Sequence, residues 1–214
     1  MSGPLSPAAP RSYGGKPAEA RRMDRRERWI DAGLELFGTV GFRGTSLRAL
    51  ARESGIAERY FAENFADLDD LFVAVHQRLH HQLAGAVTRA VRAAGPDLGE
   101  RARLGLRALV DGFADDPRCA RIKLAEYAVA GPRAMAAMRA SQRQVAVLLI
   151  GGVEATALPD GTDLEVLGLG LAGGVFELIT NWHTGRLTLS RDELVEHCAL
   201  LITAVHRGLT RPEE

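Results

Sequence analysis

Three histidines lie close together in the chain, and two of them have a spacing that two metal ligands could use. His76 and His80 are four residues apart, which places them on one face of a helix, and His81 follows directly. A zinc site in a protein takes at least three side-chain ligands. The sequence offers no third ligand in a suitable spacing, and the apolar positions Val75 and Leu79 put the histidines at the edge of a buried stripe. We therefore predict no metal and no other cofactor.

The remaining reactive residue types do not form an enzymatic pattern. The two cysteines, Cys119 and Cys198, fall in separate apolar stretches, as is typical of buried free thiols in a reducing compartment. Gly168-x-Gly170-x-x-Gly173 spells a dinucleotide-binding fingerprint, but that motif needs a preceding strand, and these glycines lie inside a predicted helix. The sequence contains no Gly-x-Ser-x-Gly motif, no phosphate-binding loop and no Glu-x-x-His pair. We predict that the protein is not an enzyme.

The net charge of zero hides an excess of basic residues at the N-terminus. Residues 1–28 carry seven basic and three acidic side chains, so this segment is +4 and the rest of the chain is −4. A local basic segment indicates contact with a polyanion, although solvated tails have the same composition. The longest uncharged apolar stretch, Val166 to Phe176, is too short to cross a bilayer. We predict a cytoplasmic protein with no membrane partner, and the excess of arginine over lysine, 25 to 2, favours a bacterial source with a GC-rich genome.

Helical periodicity runs from Arg21 onward, and no segment alternates as a half-buried strand would. The sequence predicts about nine helices, which makes the fold class all-α. They are a short helix after Thr45 or Ser46, a long helix after Asp67, and helices over residues 24–40, 57–64, 98–114, 117–130, 132–156, 163–184 and 190–210. The three helices nearest the N-terminus, over 24–40, after Thr45 or Ser46 and over 57–64, form a helix-turn-helix head with a glycine turn at Gly55. The helix over 57–64 is free to enter a major groove.

Several short motifs follow one another in the head. They are Arg28-Trp29-Ile30-Asp31-Ala32-Gly33-Leu34-Glu35-Leu36-Phe37, Gly41-Phe42-x-x-Thr45-Ser46-Leu47-Arg48-x-Leu50-Ala51, Gly55-Ile56, Tyr60-Phe61 and Asn64-Phe65. Together they resemble the N-terminal domain of TetR-family regulators over residues 22–82. The resemblance implies a DNA-binding domain at 22–82 with its motif at 45–64, and a ligand-binding and dimerisation domain at 83–214. The Pro- and Gly-rich composition of residues 1–21 predicts a flexible arm before them.

The resemblance also implies which residues contact DNA. By position these are Thr45, Ser46, Arg48, Glu58, Arg59, Tyr60, Asn64, Arg25 and Arg26. The first three and Asn64 lie where the family contacts phosphates, and the segment 58–60 faces base edges. Arg59 is suited to a bidentate contact with guanine. Arg25 and Arg26 are placed to reach an adjacent minor groove or phosphates. The implied partner is a palindromic double-stranded operator, read by a homodimer.

Two positions depart from the family's pattern. Ala62 stands where a phosphate-binding tyrosine is usual, and Leu68 stands where a lysine is usual. Both changes remove phosphate contacts and so weaken binding to all DNA sequences. Glu58 and Glu63 add repulsion near the duplex. The alternative function is therefore a helical small-molecule-binding protein whose head has weakened DNA affinity.

The last two helices are predicted to form a dimer interface. The helix at 163–184 is apolar nearly all round, and such a helix is buried on both sides, in a dimer or as the central helix of a monomer. The predicted interface residues are Leu167, Gly170, Leu171, Gly174, Leu178, Trp182, Leu194, Cys198, Leu201 and Val205.

An effector pocket is predicted where polar residues interrupt apolar stripes in the body. Its candidate residues are Phe113, Glu126, Tyr127, Met135, Met138, Ser141, Gln142, Phe176 and Thr180. An apolar wall with few polar groups favours a hydrophobic small molecule. The predicted function is thus a ligand-responsive transcriptional regulator, a repressor released by its effector, with an activator as the other mode of action.

Overall fold

The computed structural model describes residues 18–150, 161 and 163–209, and these residues contain helices and no strands. The helices are α1 (Ala18–Thr39), α2 (Leu47–Ser54), α3 (Leu68–Ala93), α4 (Leu98–Ala114), α5 (Pro117–Arg121), α6 (Tyr127–Ala130), α7 (Pro132–Ile150), α8 (Leu164–His183) and α9 (Arg191–Leu209). A π-helical turn, Ile122–Glu126, makes α5 and α6 one continuous segment. The prediction of an all-α fold is confirmed, with eight continuous helices in the described part of the chain.

The predicted third helix of the head is the one that does not form. In place of a helix over 57–64 the structure has a 3₁₀ turn at Glu58–Tyr60. The amides of Tyr60 and Phe61 donate to carbonyl groups three residues earlier, those of Ala57 and Glu58. Ala57 provides no side-chain cap, and so short a segment gains little from the α-helical bond pattern.

The first helix begins earlier than predicted. It starts by Ala18 rather than near Asp24, so Arg21 and Arg22 are exposed on a helix and not in a flexible arm. The segment from Ala18 to Arg22 has no apolar residue larger than alanine to bury, but alanine, glutamate and arginine are strong helix formers. Residues 1–17 of the predicted arm lie outside the described residues.

Aromatic rings fill the core of the head. Trp29 and Phe61 pack edge to face with their ring centroids 5.3 Å apart. Phe37 on α1 contacts both Phe42 and Phe72, at centroid distances of 5.6 and 5.3 Å. Since Phe72 belongs to α3, this cluster joins the head to the long helix that continues into the body.

Around α3 the body is a bundle. α4 packs on α3 and on α9, and α7 packs on α3 and on α8. The structure describes α7 only to Ile150, so the predicted extension to residue 156 lies outside the described residues. α8 is long and apolar enough to cross a membrane by composition, with a mean hydropathy of 1.3, but here it packs against α7 and α9.

The end of α1 meets the α5–α6 segment in what we call the head–body joint, formed by residues 35–42 and 116–126. The guanidinium of Arg118 bonds the Glu35 carboxylate at 2.7 Å. The amide of Phe42 donates to the Glu126 carboxylate at 2.9 Å, and the same carboxylate accepts from Arg121. These bonds fix the head to the body through charged groups near the surface.

Gly38 makes the close approach at this joint possible. A Cβ atom on Gly38 would lie 2.3 Å from Cβ and 2.9 Å from Cα of Arg118. We expect Gly38→Ala to lower the free energy of unfolding by about 1–3 kcal/mol, because the backbones must separate. Gly85→Ala in α3 is the control, since its Cβ meets only a flexible arginine end at 3.4 Å and gains helix propensity. Urea denaturation of both variants checks this, and equal stabilities would contradict it.

Candidate nucleic-acid interface

The 3₁₀ turn that carries Glu58, Arg59 and Tyr60 lies at the surface of the head. Glu58 and Arg59 are exposed, whereas Tyr60 is half-buried. The Arg59 guanidinium lies 4.8 Å from the centroid of the Tyr60 ring and donates to its hydroxyl at 3.2 Å. A planar cation is thus held on an aromatic face at the surface, which suits a donor fork for a guanine edge.

Arg25 and Arg26 brace this turn from α1. Arg25 pairs with Glu63 at 2.9 Å and lies 5.3 Å from the centroid of the Tyr60 ring. Arg26 donates to the backbone carbonyl of Asn64 at 3.0 Å, and its guanidinium lies over the ring of Phe65. Both side chains are half-buried. Their contact with DNA remains a prediction, and the structure gives them a supporting role that the sequence did not indicate.

The predicted phosphate contacts at the start of α2 differ in accessibility. Ser46 is exposed and caps the helix by accepting from the amide of Ala49, and Arg48 is exposed with a free path to solvent. Thr45 is only 7% exposed, and its hydroxyl donates to the carbonyl of Gly41 at 2.8 Å. Of these three residues, Ser46 and Arg48 therefore present side chains to a ligand.

Asn64 is committed within the head. Its side-chain amide donates to the carbonyl of Tyr60 at 3.0 Å, closing the turn that carries the exposed residues. The Asn64 side chain is half-buried, and its carbonyl oxygen is buried with no hydrogen-bond partner among the described atoms. Its contact with a phosphate stays a prediction.

The two positions that depart from the family's pattern, Ala62 and Leu68, carry no charged or hydrogen-bonding side chain that could contact a phosphate. Ala62 is exposed, and Leu68 is half-buried against the apolar core. The acidic start of α3 is nevertheless partly neutralised, because Arg133 of α7 pairs with Asp67 and, at 3.1 Å, with Asp69. The cap bond from the Asp70 amide, helped by Arg133, lowers the pKa of Asp67. These pairings reduce the repulsion that the carboxylates would exert on a duplex.

The predicted dimer interface coincides only partly with the exposed surface of α8 and α9. The part of Leu171, Leu194 and Cys198 in an interface stays a prediction, although all three are buried within the chain's own core. They are buried because the two helices turn this stripe toward α4 and α7. Gly170 is exposed, and the other predicted residues, half-buried, are Leu167, Gly174, Leu178, Trp182, Leu201 and Val205. The apolar side chains most exposed on these helices are Val166 and Leu200, both 63%.

The predicted effector-pocket residues are spread over several packing environments. Phe113, Met138, Ser141 and Phe176 are buried; Glu126, Tyr127, Met135, Gln142 and Thr180 are half-buried. Glu126 is committed to the head–body joint. Two clefts of about 440 Å³ open elsewhere in the described chain, one at the α4–α9 surface beside Arg103 and one between α1 and α3 beside Ile30. Neither is lined by the predicted pocket residues.

A buried lysine in the body is the polar residue that the sequence analysis missed. Lys123 lies in the π-helical turn, is 2% exposed, and its amine is 3.0 Å from Nε2 of His76. Burial lowers the pKa of Lys123 to about 8 and that of His76 to about 3, and raises the pKa of the Cys119 thiol to about 12. The one feature of the sequence that could have drawn attention to Lys123 is the rarity of lysine, because only two of the 27 basic residues are lysine.

Comparisons with known proteins agree with this geometry. Residues 30–75 match the family model described as "Bacterial regulatory proteins, tetR family". The HTH-type transcriptional regulator BetI of Stenotrophomonas maltophilia is 34% identical over 92 residues, which span 43% of this chain and 45% of that relative. The matched region is thus less than half of the relative's length.

Solved structures extend the similarity to the whole fold. A putative transcriptional regulator from Pseudomonas aeruginosa PAO1 superposes with a TM-score of 0.70 at 17% identity, covering 90% of this chain and 97% of that one. The regulator FadR from Bacillus subtilis, in complex with stearoyl-CoA, superposes with a TM-score of 0.68 at 16% identity, covering 83% and 97%. At these identities the similarity concerns the fold.

Proposed function

We propose that this chain is a member of the TetR family of bacterial regulatory proteins, whose model residues 30–75 match, and that the protein is a DNA-binding transcriptional regulator. The observation that carries the proposal is the exposed 3₁₀ turn, in which Arg59 is held on the Tyr60 ring and braced by Arg25. We also propose that the protein is cytoplasmic and is not an enzyme. The chain is proposed to divide into a DNA-binding domain at 22–82 and an effector and dimerisation domain at 83–214.

We expect Arg59→Ala to weaken binding to the operator by about 10- to 100-fold, the discrimination that a bidentate contact to a base provides, about 1–3 kcal/mol. Binding to a scrambled duplex should change little. Arg48→Ala should weaken binding to both duplexes and lower the salt dependence by about one unit of slope, since a phosphate contact carries no sequence information. Fluorescence anisotropy with upstream intergenic DNA at two salt concentrations measures both effects.

The control for these variants is Arg101→Ala, because Arg101 is exposed on α4, outside the head. Its affinity should equal that of the unaltered protein on both duplexes. If the unaltered protein binds both duplexes weakly and equally, the regulator proposal fails. The alternative, a small-molecule-binding protein whose head has lost DNA affinity through Ala62 and Leu68, would then stand.

Two copies of the chain are proposed to act together on a palindromic operator. A homodimer places two heads on half-sites about one helical turn of DNA apart. The exposed apolar surface of α8 and α9 that includes Val166, Leu169 and Leu200 supports this arrangement, because a second copy would cover it. Sedimentation of the purified protein tests it, and a monomer at micromolar concentration would contradict it.

Regulation is proposed to be repression, relieved by a small apolar effector bound in the body. The head–body joint supports this coupling, since the Glu126 carboxylate holds both the body residue Arg121 and the amide of Phe42. A ligand that favours one arrangement of the α5–α6 segment would shift the position of the head by its differential affinity. The structure of FadR in complex with stearoyl-CoA supports the proposal that the effector is apolar, because stearoyl-CoA has a long apolar tail.

A further inference from the structure

The buried pair of Lys123 and His76 contains more hydrogen-bond donors than acceptors. A charged lysine amine has three donors and no acceptor, and one of its donors is used by Nε2 of His76 at 3.0 Å. Because Nε2 accepts, the single proton of the neutral imidazole is on Nδ1. The Nδ1 atom is buried and has no partner among the described residues. Unused donors therefore remain on both side chains.

The described residues supply no carboxylate to Lys123. The ion pairs among them engage arginines only, and the groups that interact electrostatically with the amine are the imidazoles of His76 and His80 and the Cys119 thiol. An ammonium group buried without a counterion is costly, so ordinarily such a group is paired or hydrogen-bonded in full. The buried position holds a lysine although the chain uses arginine at 25 of its 27 basic positions.

Buried apolar residues flank both members of the pair along the chain. Ile122, next to Lys123, is fully buried, and so are Phe72 and Val75 near His76 on α3. Farther along α3, His80 bonds Gln144 of α7, so a second polar contact joins α3 to a neighbouring element. A ligand that satisfies the donors must therefore bring an acceptor at one end and bury an apolar remainder.

We propose that Lys123 and His76 form the binding site for the carboxylate of an organic acid with an apolar tail, which enters between α3, the α5–α6 segment and α7. The proposal rests on the proposed function, because it names the chemical class of the effector. It also supplies a route to the head. Lys123 and Glu126 lie in the same π-helical turn, and the Glu126 carboxylate accepts from the amide of Phe42. A ligand that bonds the Lys123 amine would therefore act on the turn that is bonded to the head.

Titration of the full-length protein, without DNA, tests the site. Octanoate is the probe, and 1-octanol and octylamine are the matched compounds with the same tail. We expect calorimetric binding of octanoate to weaken at least 10-fold in Lys123→Met, with octanol unaffected. Lys16→Met is the control, because it makes the same change at the other lysine and should leave octanoate affinity unaltered. Equal octanoate affinity in Lys123→Met and the unaltered protein would overturn the proposal.

A spectroscopic measurement keeps the test independent of the variant's folding. With ¹⁵N-labelled lysine the chain gives two side-chain amine signals, and we expect that of Lys123 to shift on addition of octanoate and not of chloride or phosphate. An unmoved signal across acetate, octanoate and dodecanoate, or an equal shift with the inorganic anions, would overturn the proposal. Octanoate binding by a protein that fails to bind DNA would leave the site standing and refute the regulator function alone.

Discussion

Replacing Phe37 with alanine is expected to lower the free energy of unfolding by about 3–5 kcal/mol, the range typical of a buried aromatic residue truncated to alanine. Phe37 is fully buried, and its ring contacts Phe42 in the loop after α1 and Phe72 on α3. The truncation leaves a cavity at the place where three segments of the head meet. Those segments cannot collapse together, because Gly38, the next residue, already contacts Arg118.

Urea denaturation followed by circular dichroism measures the loss, and Val40→Ala is the matched control. Val40 lies three residues away and is 52% exposed, so its truncation should change stability by no more than about 0.5 kcal/mol. A Phe37→Ala protein as stable as the Val40→Ala protein would show that the aromatic cluster does not hold the head together.

The contribution of Lys123 to the stability of the protein is expected to rise with pH between 8 and 10.5. Burial lowers the pKa of Lys123 from 10.5 to about 8, so in this window the unfolded chain binds a proton that the folded chain does not. Stability increases with pH wherever the unfolded state binds more protons, and a shift of this size corresponds to about 3 kcal/mol. Below pH 8 both states carry the proton, and the full cost of the buried charge is present.

Lys123→Met removes this cost while filling a similar volume. We therefore expect the variant to be more stable than the unaltered protein near neutral pH, and the advantage to vanish as the pH approaches 10.5. The difference between the two proteins isolates Lys123, since every other titratable group is present in both. Urea midpoints across this pH range check the prediction, and a difference that does not change with pH would refute it.

The head was largely predictable from its sequence because its signals are local. Ser46 and Asp67 cap the following helices, and Gly55 adopts the left-handed conformation that ends α2. Trp29, Phe37 and the other aromatic residues recur at helical spacing and form the core. Local spacing was insufficient for the start of α1, which lies at Ala18 and not near Asp24, and for the segment 57–64, where no side-chain cap favours an α-helix over a 3₁₀ turn.

The candidate site was less predictable because accessibility depends on contacts across the fold. Thr45 is buried, and its hydroxyl donates to the carbonyl of Gly41. Arg25 pairs with Glu63, which is 38 residues away. Periodicity identified the apolar stripe of α9 but not the neighbour it faces, and Leu194 and Cys198, which we assign to a dimer interface, are buried within the chain's own core. Lys123 carried no signal beyond its rarity, since its partner His76 is 47 residues away.

The length of α3 converts small adjustments in the body into large displacements of the head. Its 26 residues correspond to about 39 Å, and it runs from Phe72 in the aromatic cluster, past His76, to the contact with α4. A tilt of about 5° about one end moves the other end by about 3 Å, close to the 3.4 Å that separates successive nucleotides of a strand. A change beside His76 too small to disturb the packing of the bundle would thus put a head out of register by a full base pair.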